Sequence, residues 1–458
     1  LKLFGTSGVR GRISEKVTPE LASRLSLSFA NFLECSGNVA VGMDTRIQSK
    51  VLYHSCLSGL IMGGLNVIDL GVIPTPVLPH IIKFLKLNGG VMLTASHTPP
   101  QYCGMLFFGD YGGELTPNEC LKLEKLFFSN SLRTVNWNEL GYIEHFDNAV
   151  EIYVQSILAS FNVKQIRSKG FKVILDLCNS PYGQFFSELA ARLGVHIFTL
   201  NDMPSGIFPG RGANLKIESL KHLSPLMVNL DFDVGLALDG DGDRCFFIDS
   251  EGNILSGDVA GSIFASVELY NHGSGLIICP INTSRLILDV ASKFNGSVKF
   301  TRVGPPAIIE ALRIFQKALF AFEESGKYIW PTNILYGDPG FALCKMLQLL
   351  CKYNSIWNVL SDFPRYFQVK LSVPCPDKIK VKVLSSIMHA ASTFNPVETV
   401  AVDGLKIHLA DESWILFRPS GTEPVFRIFV ESTNKEVAEQ LASKALTLVE
   451  TIISSLTE

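Results

Sequence analysis

Gly90-Val91-Met92-Leu93-Thr94-Ala95-Ser96-His97-Thr98-Pro99-Pro100 is the stretch on which the fold turns. Its opening apolar run reads as a buried strand. The two prolines close off both strand and helix, so Ser96 and His97 fall in a stiff loop at the strand's carboxyl end. In open α/β sheets that end is where ligands bind. A small hydroxyl held there beside an imidazole is a candidate nucleophile or group carrier; the plainer alternative is ordinary loop polarity.

Outward from that loop, strands and helices alternate. The pattern predicts strand 39–41, helix 49–64, strand 67–70, helix 76–87 and then the strand that ends at Ser96. A second round follows: strand 171–177, helix 181–193, strand 196–200, helix 217–226 and strand 234–238. A third gives strand 276–279, helix 284–294, strand 298–302, helix 306–315 and strand 318–322. Identity between the rounds is negligible, so only the pattern repeats. Such alternation implies doubly wound sheets. Equivalent strand ends would present three polar loops, at Ser96, Asp239 and Glu323. The last part differs, with strand 367–373, helix 377–394, short strands across 400–428 and a long amphipathic helix over 434–456. It reads as a smaller α+β domain. Boundaries near Asn148, Ser250 and Pro364 divide the chain into 1–148, 149–250, 251–364 and 365–458.

Composition narrows the function. With 458 residues, 47% apolar and 18% charged, the chain can build a large core and is not disordered. A net charge of −3 leaves no electrostatic footprint for nucleic acid. No apolar stretch reaches membrane-spanning length, and no secretory leader opens the sequence, so a soluble cytoplasmic protein is expected. The 10 cysteines are scattered without a CxxC pair, which argues against a zinc site or a disulfide framework.

The strongest chemical signal is Asp239-Gly240-Asp241-Gly242-Asp243-Arg244. On an extended segment, residues two apart point the same way, so three carboxylates converge. At about 5–7 Å and an effective dielectric of ~20, each adjacent pair repels by roughly 2–3 kcal/mol. A cation relieves that repulsion, and all-oxygen ligation favours Mg²⁺, Mn²⁺ or Ca²⁺. An EF-hand fails, because its obligatory glycine would be Arg244 and its closing glutamate Ser250.

Three weaker stretches carry polar chemistry. Gly5-Thr6-Ser7-Gly8-Val9-Arg10-Gly11 is a glycine-punctuated loop whose Arg10 suits a phosphate. Glu323-Glu324-Ser325-Gly326-Lys327 offers carboxylate, hydroxyl and ammonium to sugar hydroxyls. Arg418-Pro419-Ser420-Gly421-Thr422-Glu423-Pro424, with Arg427, has the makings of a phosphate cradle. Walker and Rossmann glycine fingerprints are absent, so a nucleotide ligand is not suggested.

Together, and in this order, the five motifs resemble the α-D-phosphohexomutase family, which includes phosphomannomutase/phosphoglucomutase and phosphoglucosamine mutase. The resemblance covers the whole chain. It implies three similar α/β domains and a fourth α+β domain around one cleft. It implies a mutase that interconverts hexose 1-phosphate and hexose 6-phosphate, with Ser96 as the phosphoserine and a hexose 1,6-bisphosphate as intermediate and activator. Asp239, Asp241, Asp243 and the Ser96 phosphate would hold one Mg²⁺. His97, Arg10 and Arg244 would take part in catalysis, Glu323 and Ser325 would bind sugar hydroxyls, and Arg418, Ser420, Gly421, Thr422 and Arg427 the substrate's other phosphate. Sugar phosphates are then the partners, and the protein a monomer or homodimer.

The sequence departs from the family in places that matter. Thr98 stands where the resemblance leads to Asn, and Leu106 where it leads to a catalytic lysine. Lys327 stands where His or Gly is common. The expectation is that Lys327 replaces the missing lysine, as proton shuttle or as a fixed charge. The alternatives are a sugar-phosphate-binding paralogue with a regulatory or scaffolding use and, further off, a bare phosphatase.

Overall fold

A computed structural model describes residues 3–129, 131–353, 355–421 and 423–457. Four sheets follow one another along the chain. In the first, parallel strands Asn38–Met43, Asn66–Val72 and Gly89–Leu93 are linked by helices Ile47–Met62 and Val77–Leu85. The third strand lies beside the first, on the side away from the second. The second sheet orders Lys172–Asp176, His196–Leu200 and Val234–Leu238 the same way, and the third repeats it with Gly275–Pro280, Gly296–Thr301 and Ala318–Glu323. The chain therefore enters each sheet in the middle and reverses direction there, leaving a switch point between first and third strands at their carboxyl ends. The Ser96, Asp239 and Glu323 loops all leave third strands.

The predicted strands of these units are present. One feature was not read from the sequence: every third strand hairpins into an antiparallel partner. These are Tyr102–Gly109, Cys245–Asp249 and Lys327–Ile329. Each polar loop is thus a hairpin connection, long at Ser96 and short at Asp239 and Glu323, fixed at both ends by ladder hydrogen bonds. Val9–Arg12, expected as loop, pairs antiparallel with Tyr102–Gly109 as the sheet's edge. The helix expected over 217–226 is broken into Ile217–Leu220 and Leu223–Asn229. The last sheet, of Phe367–Pro374, Glu398–Val400, Leu405–His408, Trp414–Pro419 and Val425–Ser432, is wholly antiparallel and covered by helices Lys380–Ala390 and Lys435–Thr457. Among the described residues no helix is long and apolar enough to cross a membrane, and all ten cysteines are free.

A polar hub ties the first three units together. Asp338 begins the helix Pro339–Tyr353 and accepts the Phe341 N–H at 3.0 Å. From the first unit, His80 Nε2 approaches its carboxylate at 3.1 Å, while His80 Nδ1 meets Ser156 Oγ at 3.2 Å. Tyr153, on the helix Ala149–Leu158, donates its hydroxyl to the same carboxylate, and the Asn333 side-chain amide donates at 2.8 Å. Asp338 is 1% exposed, so its partners have no water to turn to. Each buried polar group left unsatisfied costs ~1–3 kcal/mol. Asp338→Ala should therefore destabilise the protein by about 3 kcal/mol or more in urea unfolding; a loss under ~1 kcal/mol would mean that the hub does not hold the units together.

Candidate active site

The site forms where the Ser96 and Asp239 hairpins meet. Ser96 is fully buried, and its φ of 51° lies in the left-handed region, a conformation that costs a non-glycine residue ~1–3 kcal/mol. Arg46 holds it there. Its guanidinium, 1% exposed, donates to the carbonyls of Ser96 and Thr98 at 2.7 Å each, and to those of Pro99 at 2.8 Å and Tyr102 at 3.2 Å. Its Nε pairs with Asp44 at 3.0 Å, and its face lies 4.8 Å from the Phe208 ring centroid. Thr94 Oγ1 reaches Asp44 at 2.8 Å, which closes the switch point between first and third strands. Thr98, in place of the expected Asn, donates its hydroxyl to the Ala95 carbonyl at 2.8 Å within the loop.

The aspartates converge, but not by extended alternation. The segment Asp239–Arg244 is a tight turn between paired residues Leu238 and Cys245, with Gly242 at φ 70°. A Cβ on Gly240 would come within 2.7 Å of the Ser96 carbonyl, so a side chain there would push the two hairpins apart. One oxygen from each of Asp239, Asp241 and Asp243 lies within 4.8 Å of the others, all three residues being buried. Asp239 Oδ1 accepts the N–H groups of Asp243 and Arg244 at 3.2 Å, and its Oδ2 accepts the Ser96 hydroxyl at 2.8 Å. Asp241 Oδ2 accepts from Thr75 and Thr94 at 3.0 Å. Asp243 Oδ2 accepts from the Lys327 ammonium at 2.8 Å and from Tyr336 at 2.6 Å. Among the described residues, Asp241 Oδ1 and Asp243 Oδ1 have no hydrogen-bond partner. Buried acceptors without donors, in an all-oxygen set, fit a hard divalent cation.

Electrostatics agree. Burial first, and then Asp243, push the Asp239 carboxyl up to about 6. Burial followed by the same neighbour raises Asp241 well above the usual carboxylate range. For Asp243 burial pushes up, but Lys327 and then Arg244 outweigh it, and the group lies below its ordinary value. His97, whose Nδ1 is 3.4 Å from Ser96 Oγ, is lowered well below an ordinary histidine, by Arg244 first, then burial and Arg10. Arg244 Nε lies 3.6 Å from Asp243 Oδ1 and 4.0 Å from Asp239 Oδ2, without a hydrogen bond, and Arg10 Nε is also unpartnered. Open donors beside open acceptors suit an anion bridged to a cation.

Lys327 is not a solvated turn residue. It opens the return strand opposite Glu323 and is 1% exposed. Its ammonium lies 3.9 Å from Glu114 and 4.2 Å over the Tyr336 ring. Tyr336 packs on Phe108 at 5.2 Å. Leu106, two residues before Phe108 on the same strand face, is buried in that core and crowds Gly8. Glu114 accepts the Ser7 hydroxyl at 2.8 and 3.0 Å, and Ser7 accepts from Arg10 at 3.2 Å. Burial raises Glu114 and Glu323 above the ordinary carboxylate range. Glu323 has no hydrogen-bond partner for its carboxylate among the described residues, nor does the half-buried Ser325 for its hydroxyl. Glu324 is different: it binds Asn282 at 2.7 Å and pairs with Lys370 of the last sheet. The Gly326 carbonyl accepts the Cys245 N–H at 2.9 Å, joining this loop to the aspartate hairpin.

In the last sheet Arg418 and Arg427 stand directly opposite each other on neighbouring strands. Like charges so placed are destabilising unless an anion lies between them. Arg418 Nε pairs with Asp403 at 2.8 Å, and Arg427 pairs with Glu423. The Arg418 loop reaches the first unit, where a Cβ on Gly421 would touch Thr6 at 3.8 Å. Thr422 lies outside the described residues. Asp44, Arg46, Thr75, Glu114 and Tyr336 were missed in the sequence, where no local pattern marks them, and Thr94 was quoted within the serine stretch without a role of its own.

The chain matches the family described as phosphoglucomutase/phosphomannomutase in all four of its parts: alpha/beta/alpha domain I over residues 1–134, domain II over 151–252, domain III over 256–366 and the C-terminal domain over 371–448. A probable phosphoglucosamine mutase of Pyrococcus horikoshii is 35% identical over 456 residues, 99% of each chain. A phosphoglucosamine/phosphogalactosamine mutase of Sulfurisphaera tokodaii is 33% identical, over 98% of this chain and 99% of that one. The crystal structure of a phosphoglucomutase/phosphomannomutase family protein from Burkholderia thailandensis superposes with a TM-score of 0.86 at 22% identity, covering 98% of this chain and 97% of that one. The chain belongs to the phosphoglucomutase/phosphomannomutase family, among the α-D-phosphohexomutases. It is an enzyme, a hexose-phosphate mutase that isomerises its substrate by phosphoryl transfer; the non-catalytic alternative is not favoured.

The aspartate turn generates a prediction that needs no turnover. Mg²⁺ added to EDTA-treated protein should raise its melting temperature, by about 2.7 kcal/mol of stabilisation at a hundredfold excess over Kd. Asp241→Asn should abolish the rise. A wild-type protein indifferent to Mg²⁺ would remove the cation from this site.

Proposed function

We propose that the protein interconverts hexose 1-phosphate and hexose 6-phosphate through a phosphoserine at Ser96, with glucosamine phosphates the first substrates to test. The observation that carries the reading is the Ser96 hydroxyl 2.8 Å from an aspartate of a buried triad, with open carboxylate oxygens and open guanidinium nitrogens on either side. The similarity to phosphoglucosamine mutases supports the choice of amino sugar. The ten free cysteines fit a reducing compartment such as the cytoplasm.

In this mechanism one Mg²⁺, held by Asp239, Asp241, Asp243 and the phosphoserine, would neutralise charge on the phosphoryl group. Arg10 and Arg244 take the oxygens of that group, and His97 stays uncharged beside it. Arg418, Ser420, Gly421, Thr422 and Arg427 clamp the phosphate that is not being transferred. Glu323 and Ser325 hold sugar hydroxyls and so set the reach between the two phosphates. The P–O bond to Ser96 breaks as the free sugar hydroxyl attacks phosphorus; the hydroxyl gives up its proton, the Ser96 oxygen leaves with the bonding electron pair and takes up a proton on the side facing Asp239, and the product is a hexose 1,6-bisphosphate. After that intermediate turns over in the cleft, its other phosphate returns to Ser96. The serine proton then has its acceptor in place at Asp239. Intact mass of the purified protein should be heavier by one phosphoryl group, and Ser96→Ala should lack both that mass and mutase activity. Full activity in Ser96→Ala would end the phosphoserine reading.

Lys327 supplies the cation that Leu106 lacks. Its ammonium, fixed between Asp243 and Glu114, is an electrostatic element of the transfer site. Lys327→Ala should lower kcat by about 10²-fold, the loss typical of one preorganised donor, and Leu106→Lys in that background should recover part of it. An unchanged kcat would return Lys327 to a structural pairing.

A further inference from the structure

Lys380 opens the helix Lys380–Ala390, behind the Arg418 loop, and is 7% exposed. Its ammonium donates to the Ser420 carbonyl at 2.6 Å and to the Glu423 carbonyl at 2.5 Å, and pairs with the exposed Asp377 at 2.6 Å. A buried lysine whose donors go to two backbone carbonyls of one short loop fixes the direction of those peptide units. The rest of the loop is accounted for. Ser420 N–H goes to the Val425 carbonyl at 3.0 Å, Glu423 N–H to Ser420 Oγ at 3.2 Å, Val425 N–H to the Glu423 carbonyl at 2.8 Å, and the Pro424 carbonyl takes the Cys375 N–H at 2.8 Å. Among the described residues of the loop, Gly421 keeps an exposed N–H with no partner. Among the described residues of the loop, the Ser420, Glu423 and Pro424 carbonyls are tied back, while the Gly421 amide is left open beside Arg418 and Arg427.

We infer that Lys380 is a positioning residue for the phosphate cradle: it holds the Ser420 and Glu423 carbonyls on the far side of the loop, so that Gly421 N–H and Arg418 face the anion. Without it the same carbonyls are free to swing toward the phosphate, where an oxygen repels an oxygen. This rests on the reading of the Arg418 loop as the clamp for the non-transferred phosphate. Because the clamp holds the non-transferred phosphate in each transfer step, before and during the chemistry, the effect is on binding that substrate and transition state share, and it falls on KM rather than kcat.

The experiment compares Lys380→Met, Lys380→Arg and Arg418→Ala in the full-length Mg²⁺-loaded enzyme, with glucosamine 1-phosphate and glucose 1-phosphate as probes. Lys380→Met should raise KM about tenfold, one lost hydrogen-bonding unit of binding, with kcat held within about twofold. Lys380→Arg, which keeps donors for both carbonyls, should restore KM. Should the methionine variant not fold, Lys380→Gln reads the same quantity with a neutral donor. Wild-type KM in Lys380→Met beside weakened binding in Arg418→Ala overturns the inference and leaves the cradle standing. Wild-type binding in Arg418→Ala overturns the cradle itself. A fall in kcat at unchanged KM, or a failure of arginine to restore KM, also overturns the positioning role.

Discussion

The site depends on the ion pair between Arg46 and Asp44. Both residues are buried, and the pair spans the switch point of the first sheet. Asp44 fixes the Thr94 hydroxyl, and through it the last residue before the serine loop. Arg46 fixes the loop's carbonyls, including that of Ser96. A left-handed serine is costly on its own, and an isolated buried ion pair is seldom a net gain either. Here each makes the other tolerable: the guanidinium finds in the strained loop the acceptors its burial demands. What results is a hydroxyl whose direction is set before any ligand arrives.

From that hydroxyl the charges alternate outward. Asp239 accepts the hydrogen bond of the serine hydroxyl, Arg244 lies against Asp239 and Asp243, Lys327 bridges Asp243 and Glu114, and Ser7 links Glu114 to Arg10. Each carboxylate in this chain meets a cation or a hydroxyl, so several buried charges coexist. The gaps are where the pattern is left open, at Asp241 Oδ1, Asp243 Oδ1, Arg10 Nε and Arg244 Nε. Those openings lie together and are of both signs, as a metal-bound phosphoryl group requires.

The strand–helix alternation was legible because buried parallel strands are short apolar runs with turn residues at their ends. The return strands were not. Tyr102–Gly109 follows two prolines and contains Gly104, so local signals read it as more loop; it is a strand because the sheet offers it an edge. The helices Gly257–His272 and Pro339–Tyr353 escaped for the opposite reason: buried on most sides, they show no polar face from which to read a period. The aspartate turn announced itself through spacing, although the spacing works by a hairpin and not by an extended strand. Asp44, Arg46, Glu114 and Lys380 carry no local signal at all. Each acts on a segment far away in sequence, and that long-range pairing is information a linear pattern does not hold.

The pairing of Glu324 with Lys370 reaches further than one surface ion pair. Glu324 adjoins Glu323, the carboxylate proposed to face the sugar, and Lys370 lies on the strand paired in register with the one that bears Arg427. Under the proposed roles, the carbohydrate loop at Glu323 and the phosphate loop at Arg418 are therefore geared to each other through one strand. A shift of the last sheet that made room for a larger sugar would tug at the residue beside Glu323, and a change in the sugar loop would tilt the phosphate clamp. Selectivity for the hexose and grip on its phosphate are inherited together, and an engineer or a lineage altering one must retune the other.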